Sequence, residues 1–159
     1  MPALQLIALI MLANSAPVLA RHVLKDVWQQ PIDGGLVLRD ARRVFGRSKT
    51  WCGLVAATLS CALAAPLIGL TWTIGATVGA LAMSGDLLAS FIKRRLGLDA
   101  GQRAPRLDSI PEVLLPALSL RDTLGLSWPD VALVVIVFML AVRLASPLLY
   151  RLHLRSRPW

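Results

Sequence analysis

Residues 72–92 read WTIGATVGALAMSGDLLASFI, and this stretch decides the fold. At about 1.5 Å per residue its 21 residues extend about 31 Å, the thickness of a bilayer's hydrocarbon core. It carries one acid, Asp86. On a helix Asp86, Ser90 and Lys93 fall at i, i+4 and i+7 and project from one face. Towards the N-terminus that face continues through Ala82, Gly79 and Gly75, a strip of small residues against which another helix can pack closely. A carboxylate at the centre of a span costs about 2.5–3.5 kcal/mol on insertion scales. Such an acid marks a functional site unless a neighbouring arginine neutralises it.

The flanking chain carries the same signal. Of 159 residues 56% are hydrophobic, mean hydropathy is +0.64, and 17 Lys and Arg stand against nine Asp and Glu, for a net charge of +8. Several apolar runs of near-bilayer length predict an all-α polytopic membrane protein forming a single integral-membrane domain over 1–159. Five transmembrane helices are expected at about 4–20, 52–71, 72–92, 110–126 and 131–150. The first lacks a preceding basic segment and has one after it, the reverse of a signal peptide, so it reads as a retained span. Its Asn14 either makes an interhelical hydrogen bond or lines a polar cavity. Trp51 and Trp72 bracket the second span at the two interfaces, and the short connection at 71–73 makes spans two and three an antiparallel hairpin. The fourth is interrupted by Pro111, Glu112, Pro116, Arg121 and Asp122 and reads as short or broken. With five spans, the loops 21–49 and 93–109 and the C-terminal tail share one side and hold 15 of the 17 basic residues. The positive-inside rule then puts the N-terminus outside and the C-terminus in the cytoplasm, in a multi-pass cell-membrane protein with its active site on the cytoplasmic side.

The basic residues lie between apolar runs, so their partners are the membrane and phosphorylated ligands and not nucleic acid. Cys52 and Cys61, nine apart on one helix, cannot form a disulfide and read as packing residues. Cations, carboxylates and glycines meet at the cytoplasmic surface around Asp86. That combination suits a polyphosphate with a divalent metal. Mg2+ takes one or two carboxylates and completes its octahedron with phosphate oxygens and waters, which fits Asp86 together with Asp108. Lys93, Arg94 and Arg95 either neutralise phosphates or merely stop the helix at the membrane surface. The run Gly46-Arg47-Ser48-Lys49-Thr50 lacks the glycines of a P-loop. Lys49 and Thr50 at a helix start can still hold phosphate through free amides, and snorkelling of Lys49 is the alternative.

These residues resemble a family. Gly85-Asp86-Leu87-Leu88-Ala89-Ser90-Phe91-Ile92-Lys93-Arg94-Arg95-Leu96-Gly97, followed by Pro105-Arg106-Leu107-Asp108, is similar to the signature of CDP-archaeol synthases, relatives of the CTP:phosphatidate cytidylyltransferases. The first loop agrees through Pro31-Ile32-Asp33, Asp40, Arg42-Arg43, Gly46, Lys49, Thr50 and Gly53, and the first span through Ala13-Asn14. The resemblance implies a five-span nucleotidyltransferase that moves CMP from CTP to the phosphate of a membrane lipid, releases pyrophosphate and requires magnesium. It implies Asp86, Lys93 and Asp108 as catalytic residues, with Asp86 and Asp108 on the metal. Phosphate and substrate contacts fall to Asn14, Asp40, Arg42, Arg43, Lys49, Thr50, Ser90, Arg94 and Arg95, although ordinary surface charge also accounts for Asp40 and Arg42. Three positions depart from the pattern: Arg47 in place of Asp, Cys52 in place of Arg, and Pro111 in place of an acid, with Glu112 one place displaced.

Two other classes of function compete. A small transport or channel subunit would use Asp86 in an ion path, although no internal repeat accompanies it. A non-catalytic scaffold would use the basic loops on anionic lipid. Neither the acceptor's chains, ether isoprenoid or acyl, nor the oligomeric state is encoded in a readable motif.

Overall fold

In the computed structural model, residues 1–24, 28–98 and 105–151 are described, and five α-helices account for most of them. They are α1 (Pro2–Leu24), α2 (Trp51–Ala64), α3 (Trp72–Arg95), α4 (Pro105–Ser119) and α5 (Trp128–Arg151). A 3-10 turn over Ala65–Ile68 extends α2, and no strand occurs among the described residues. Among the described residues three helical segments, Pro2–Leu24, Trp51–Ile68 and Trp72–Arg95, are long and apolar enough to cross a membrane. The expectations that fall on Gly101, His153, Arg155 and Arg157 lie outside the described residues.

The central stretch behaves as its pattern dictates. Thr71 caps α3 by accepting the Ile74 amide, and α3 packs against α1, α2 and α4. The strip of small residues is where the closest approach occurs. A Cβ on Gly75 would stand 2.2 Å from the Cys61 carbonyl oxygen, and one on Gly79 would stand 2.7 Å from Cα of Thr58. Any side chain at either position would push α2 away. Cys61 is free and fully buried, and its thiol donates to the Leu9 carbonyl, so it packs α2 on α1 as a small hydrophobe.

Many of the side chains that face away from the bundle are large and apolar. Leu63, Leu67 and Leu144 are 76%, 86% and 74% exposed, and Leu59, Trp72, Ile136 and Leu140 are exposed as well. So many large apolar side chains turned outward suit a hydrocarbon surround better than water. The buried core includes Leu6, Ile10, Val78, Val113, Val134 and Phe138 from four helices.

Two boundaries differ from expectation, and both matter for the site. First, α1 continues to Leu24, because Arg21-His22-Val23-Leu24 contains nothing that breaks a helix. Arg21 and His22 therefore occupy its last turn. Second, the fourth helix begins at Pro105, not near 110, and ends at Ser119 before a turn closed by Gly125 with φ +63. Pro111 and Pro116 sit inside α4 without ending it. Pro105 suits the first helical position, where its missing N–H would have no partner. The early start puts Asp108 in the first turn and Glu112 one turn further along the same face.

The loop before α2 is organised by Asp33, whose side chain is fully buried. One oxygen accepts the Gly35 amide and the other accepts those of Phe45 and Gly46 at 3.2 and 2.9 Å, while Arg43 lies 3.8 Å away. Burial works against the charged form, but the three amides and Arg43 outweigh it and hold the carboxyl below its usual value. Antiparallel bridges Pro31↔Thr50 and Val37↔Arg43 close the loop on itself.

Candidate active site

A cavity of about 680 Å³ opens where the loop meets α1, α2, α3 and α4. That volume lies within the usual range for small-molecule sites, about 300–1,000 Å³. α3 contributes Met83, Asp86 and Leu87; α1 contributes Asn14, Pro17, Val18, Arg21 and His22. Gln29, Ile32, Ser48, Lys49 and Thr50 come from the loop, Gly53 and Leu54 from α2, and Glu112 from α4.

Lys49 reaches the cavity because the Ile32 amide donates to its carbonyl at 2.8 Å and the Trp51 amide donates to Gln30, fixing the chain just before α2. Thr50 is the N-cap, and its hydroxyl accepts the Gly53 amide. The N-terminus of α2, with its partial positive charge, therefore faces the cavity beside a lysine. Lys49 Nζ lies 2.5 Å from Asp86 Oδ2, each side chain about three-quarters buried. The acid of the central stretch is thus neutralised by a lysine from the loop, not by an arginine.

The same cavity is lined by Glu112, 4% exposed, with Asn14 Nδ2 donating to its two carboxylate oxygens at 2.7 and 2.9 Å. Asn14 therefore does both things open to it: it bonds across helices and lines the cavity. Glu112 enters because α3 has no side chain at Gly85. A Cβ there would stand 2.2 Å from the Pro111 carbonyl oxygen and 2.6 Å from Cα of Glu112, so the two backbones touch at this point. The sequence shows Glu112 only as a displaced acid. Its spacing of four from Asp108 is the signal that points to it, and Pro111, which suggests an interrupted helix, masks that signal.

Of the predicted site residues, the structure gathers Asn14, Lys49, Thr50 and Asp86 on the cavity wall. The others lie nearby, in a second cluster at the end of α3. Lys93 Nζ pairs with Asp108 Oδ1 at 2.7 Å. Arg95 Nη1 pairs with Asp40 Oδ2 at 2.7 Å, its Nη2 donates to the Arg43 carbonyl at 2.7 Å, and its guanidinium lies over the Phe91 ring. Arg42 Nη1 donates to the Arg94 carbonyl, and Arg94 donates to the Leu98 carbonyl while its side chain packs against Gly46, which has φ +101. Ser90 is buried one turn beyond Asp86 and is not among the lining residues. Distance explains the division: Lys93 lies two turns from Asp86, about 10 Å along the axis. In this structure the basic triplet clasps the loop and α4 to α3.

Asp86 and Glu112 are the carboxylates on the wall. Among the described residues no three His, Cys, Asp or Glu side chains converge into a metal cage. Such a donor set suits a hard cation that shares its coordination with phosphate oxygens and water, as magnesium does.

The family model that matches residues 4–159 is CarS-like, CDP-archaeol synthase. A CDP-archaeol synthase of Aeropyrum pernix is 36% identical over 159 residues, covering 94% of this chain and 86% of the relative. Another, of Hyperthermus butylicus, is 36% identical over 154 residues, covering 92% and 89%. A solved structure of an intramembrane enzyme for archaeal membrane lipid biosynthesis superposes with a TM-score of 0.72 at 32% identity, covering 90% of each chain. Fold and site thus define a multi-pass helical membrane enzyme with a charged cavity at one end of its bundle. The chain belongs to the CDP-archaeol synthase family, a group of cytidylyltransferases. Family membership displaces the transport-subunit and scaffold readings.

Proposed function

We propose that this chain transfers CMP from CTP to the phosphate of a membrane lipid at the cytoplasmic surface of the cell membrane, giving a CDP-lipid and pyrophosphate. The acceptor is an ether-linked isoprenoid lipid, following the name its relatives carry. An oxygen of the lipid phosphate bonds to the α-phosphorus of CTP as the bond from that phosphorus to the departing pyrophosphate breaks. The attacking oxygen is already anionic, so no strong base is required. What must be overcome is repulsion between anions, and positioned cations do this.

The observation that carries the proposal is the Lys49–Asp86 pair on the cavity wall at the N-terminus of α2. Lys49, Thr50 and the α2 amides bind the triphosphate. Magnesium, when bound, would withdraw charge from the phosphate oxygens. Asp86 would hold it with an acid of α4: Asp108 is the one that the family resemblance selects, and Glu112, one turn on, is the one on the wall. Arg94, Arg95, Asp40, Arg42 and Arg43 position the loop so that Lys49 stays over Asp86, Lys93 holds α4 through Asp108, and Ser90 lies buried one turn beyond Asp86.

The proposed topology has five spans, with the N-terminus outside and the C-terminus cytoplasmic. The charge asymmetry supports it. The 15 residues of α4 cover about 22 of the roughly 30 Å of hydrocarbon, so α4 is a short crossing that returns through α5.

The test is CMP transfer by purified protein in detergent, given labelled CTP, magnesium and a dialkylglyceryl phosphate. Wild-type protein should yield a CMP-lipid, and Asp86→Asn should abolish it. Absence of transfer under conditions where one of the relatives is active would refute the function; full activity of Asp86→Asn would refute the site.

A further inference from the structure

Four of the cations around the site already face an acid: Lys49 faces Asp86, Lys93 faces Asp108, Arg95 faces Asp40, and Arg43 approaches Asp33. Arg21 also lines the cavity, yet among the described residues no carboxylate pairs with it. It stands in the last turn of α1, at the end where the helix dipole is negative and a cation is favoured. A dipole alone does not direct a guanidinium into a cavity.

What lies beneath Arg21 identifies the anion that belongs there. Pro17 and Val18, four and three residues earlier, share its face of α1 and also line the cavity. The wall therefore runs from a cation to an apolar pair within one helical turn, about 5.4 Å. The face of a nucleobase can pack on apolar side chains, but in a nucleoside triphosphate a ribose stands between that face and the phosphates. A phosphorylated lipid has that order of parts, a phosphate directly above hydrocarbon. Elsewhere on the wall Lys49 and Thr50 sit at the α2 N-terminus, where free backbone amides add to the lysine and suit the more highly charged triphosphate.

We propose that Arg21 receives the phosphate of the lipid acceptor, by the fork-shaped two-point contact that a guanidinium makes with phosphate oxygens, with Val18 and Pro17 against the start of the chains. Within the cytidylyltransferase reading, on which this rests, Arg21 is a substrate-binding residue that sets the acceptor phosphate in the same cavity as the Lys49–Asp86 pair. The helix boundary makes this possible: had α1 ended at Ala20, Arg21 would not share a face with Pro17 and Val18.

Two measurements test it. In steady-state kinetics Arg21→Gln should raise KM for a dialkylglyceryl phosphate about 10- to 100-fold, the usual loss for a charged hydrogen-bonded contact, with KM for CTP within twofold of wild type. By native mass spectrometry wild-type protein should retain the dialkylglyceryl phosphate in preference to the same lipid bearing a free hydroxyl, and Arg21→Gln should lose that preference while keeping its melting temperature. Unchanged lipid KM, or a rise in the KM for CTP instead, would overturn the assignment and leave Arg21 a residue that sets topology or touches nucleotide. If wild-type protein transfers no CMP, the function falls, and the mass-spectrometric comparison still decides for or against Arg21.

Discussion

Gly85→Ala is the substitution that most directly tests how the site is built. The added Cβ would stand 2.2 Å from the Pro111 carbonyl oxygen, against about 3.4 Å for ordinary contact, so α4 must retreat by the difference, about 1.2 Å. Both colliding groups are backbone, and no rotamer change relieves them. If the shift falls along the Asn14–Glu112 hydrogen bonds, their 2.7 and 2.9 Å become about 3.9 and 4.1 Å, beyond hydrogen-bonding reach. Overpacking of this kind costs about 1–3 kcal/mol of stability. Misplacing a group by about 1 Å in an active site costs about 100-fold in rate, equivalent to about 2.7 kcal/mol of barrier. The assay is CMP transfer at saturating lipid phosphate, run beside a thermal melt in detergent and a circular dichroism spectrum. The variant should keep its helical content, melt earlier and lose about 100-fold in activity. Ser84→Ala is the control: its exposed hydroxyl donates to the Ala80 carbonyl within α3, and its loss should change neither quantity. Activity within twofold of wild type together with an unchanged melt would show that α4 does not depend on a bare backbone at position 85, and the account of how Glu112 enters the cavity would be wrong.

Two further predictions follow from the acids. Glu112→Gln keeps an acceptor for Asn14 but loses the charge, and should raise the magnesium concentration for half-maximal CTP binding at least about 10-fold; Asp108→Asn should instead lower the melting temperature, through loss of the Lys93 pair, and move that concentration less. A larger magnesium shift in Asp108→Asn, read by isothermal titration, would reverse the assignment. Asp33 binds its proton less readily when folded than unfolded, so its contribution is complete above the unfolded carboxyl value of about 3.9 and fades as pH falls through the lower folded value. Asp33→Asn should therefore destabilise the loop near neutral pH, and the difference from wild type should shrink below about pH 4. Limited proteolysis of the loop across pH measures it, and a difference that does not change with pH would count against a charged Asp33.

Much of this was legible in the chain because it depends on spacing along one element. The small-residue strip Gly75, Gly79 and Ala82 announces a close helix contact, and the structure places α2 against it. Asp86 announces a site for the same reason: one carboxylate in an apolar run is costly wherever the helix packs. The end of α3 is ambiguous in the sequence. Lys93, Arg94 and Arg95 read equally as phosphate ligands or as a membrane stop, and their actual partners, Asp108, Leu98, Asp40 and the Arg42–Arg43 carbonyls, are mostly loop and α4 groups whose positions depend on how the loop folds back.

The amino-acid sequence by itself determined that the chain makes apolar helices, which of their faces pack, where the positive charge gathers and that Asp86 matters, because period, length and charge are properties of neighbours in the chain. Only the tertiary structure decided that Glu112 meets Asn14 across 98 residues, that Lys49 and not an arginine neutralises Asp86, and that Arg21 faces the cavity with no carboxylate paired to it among the described residues. Those contacts are set by where helices cross. The crossing of α3 and α4 turns on a missing Cβ at Gly85, a feature that carries no periodicity and gains its meaning from the backbone it touches.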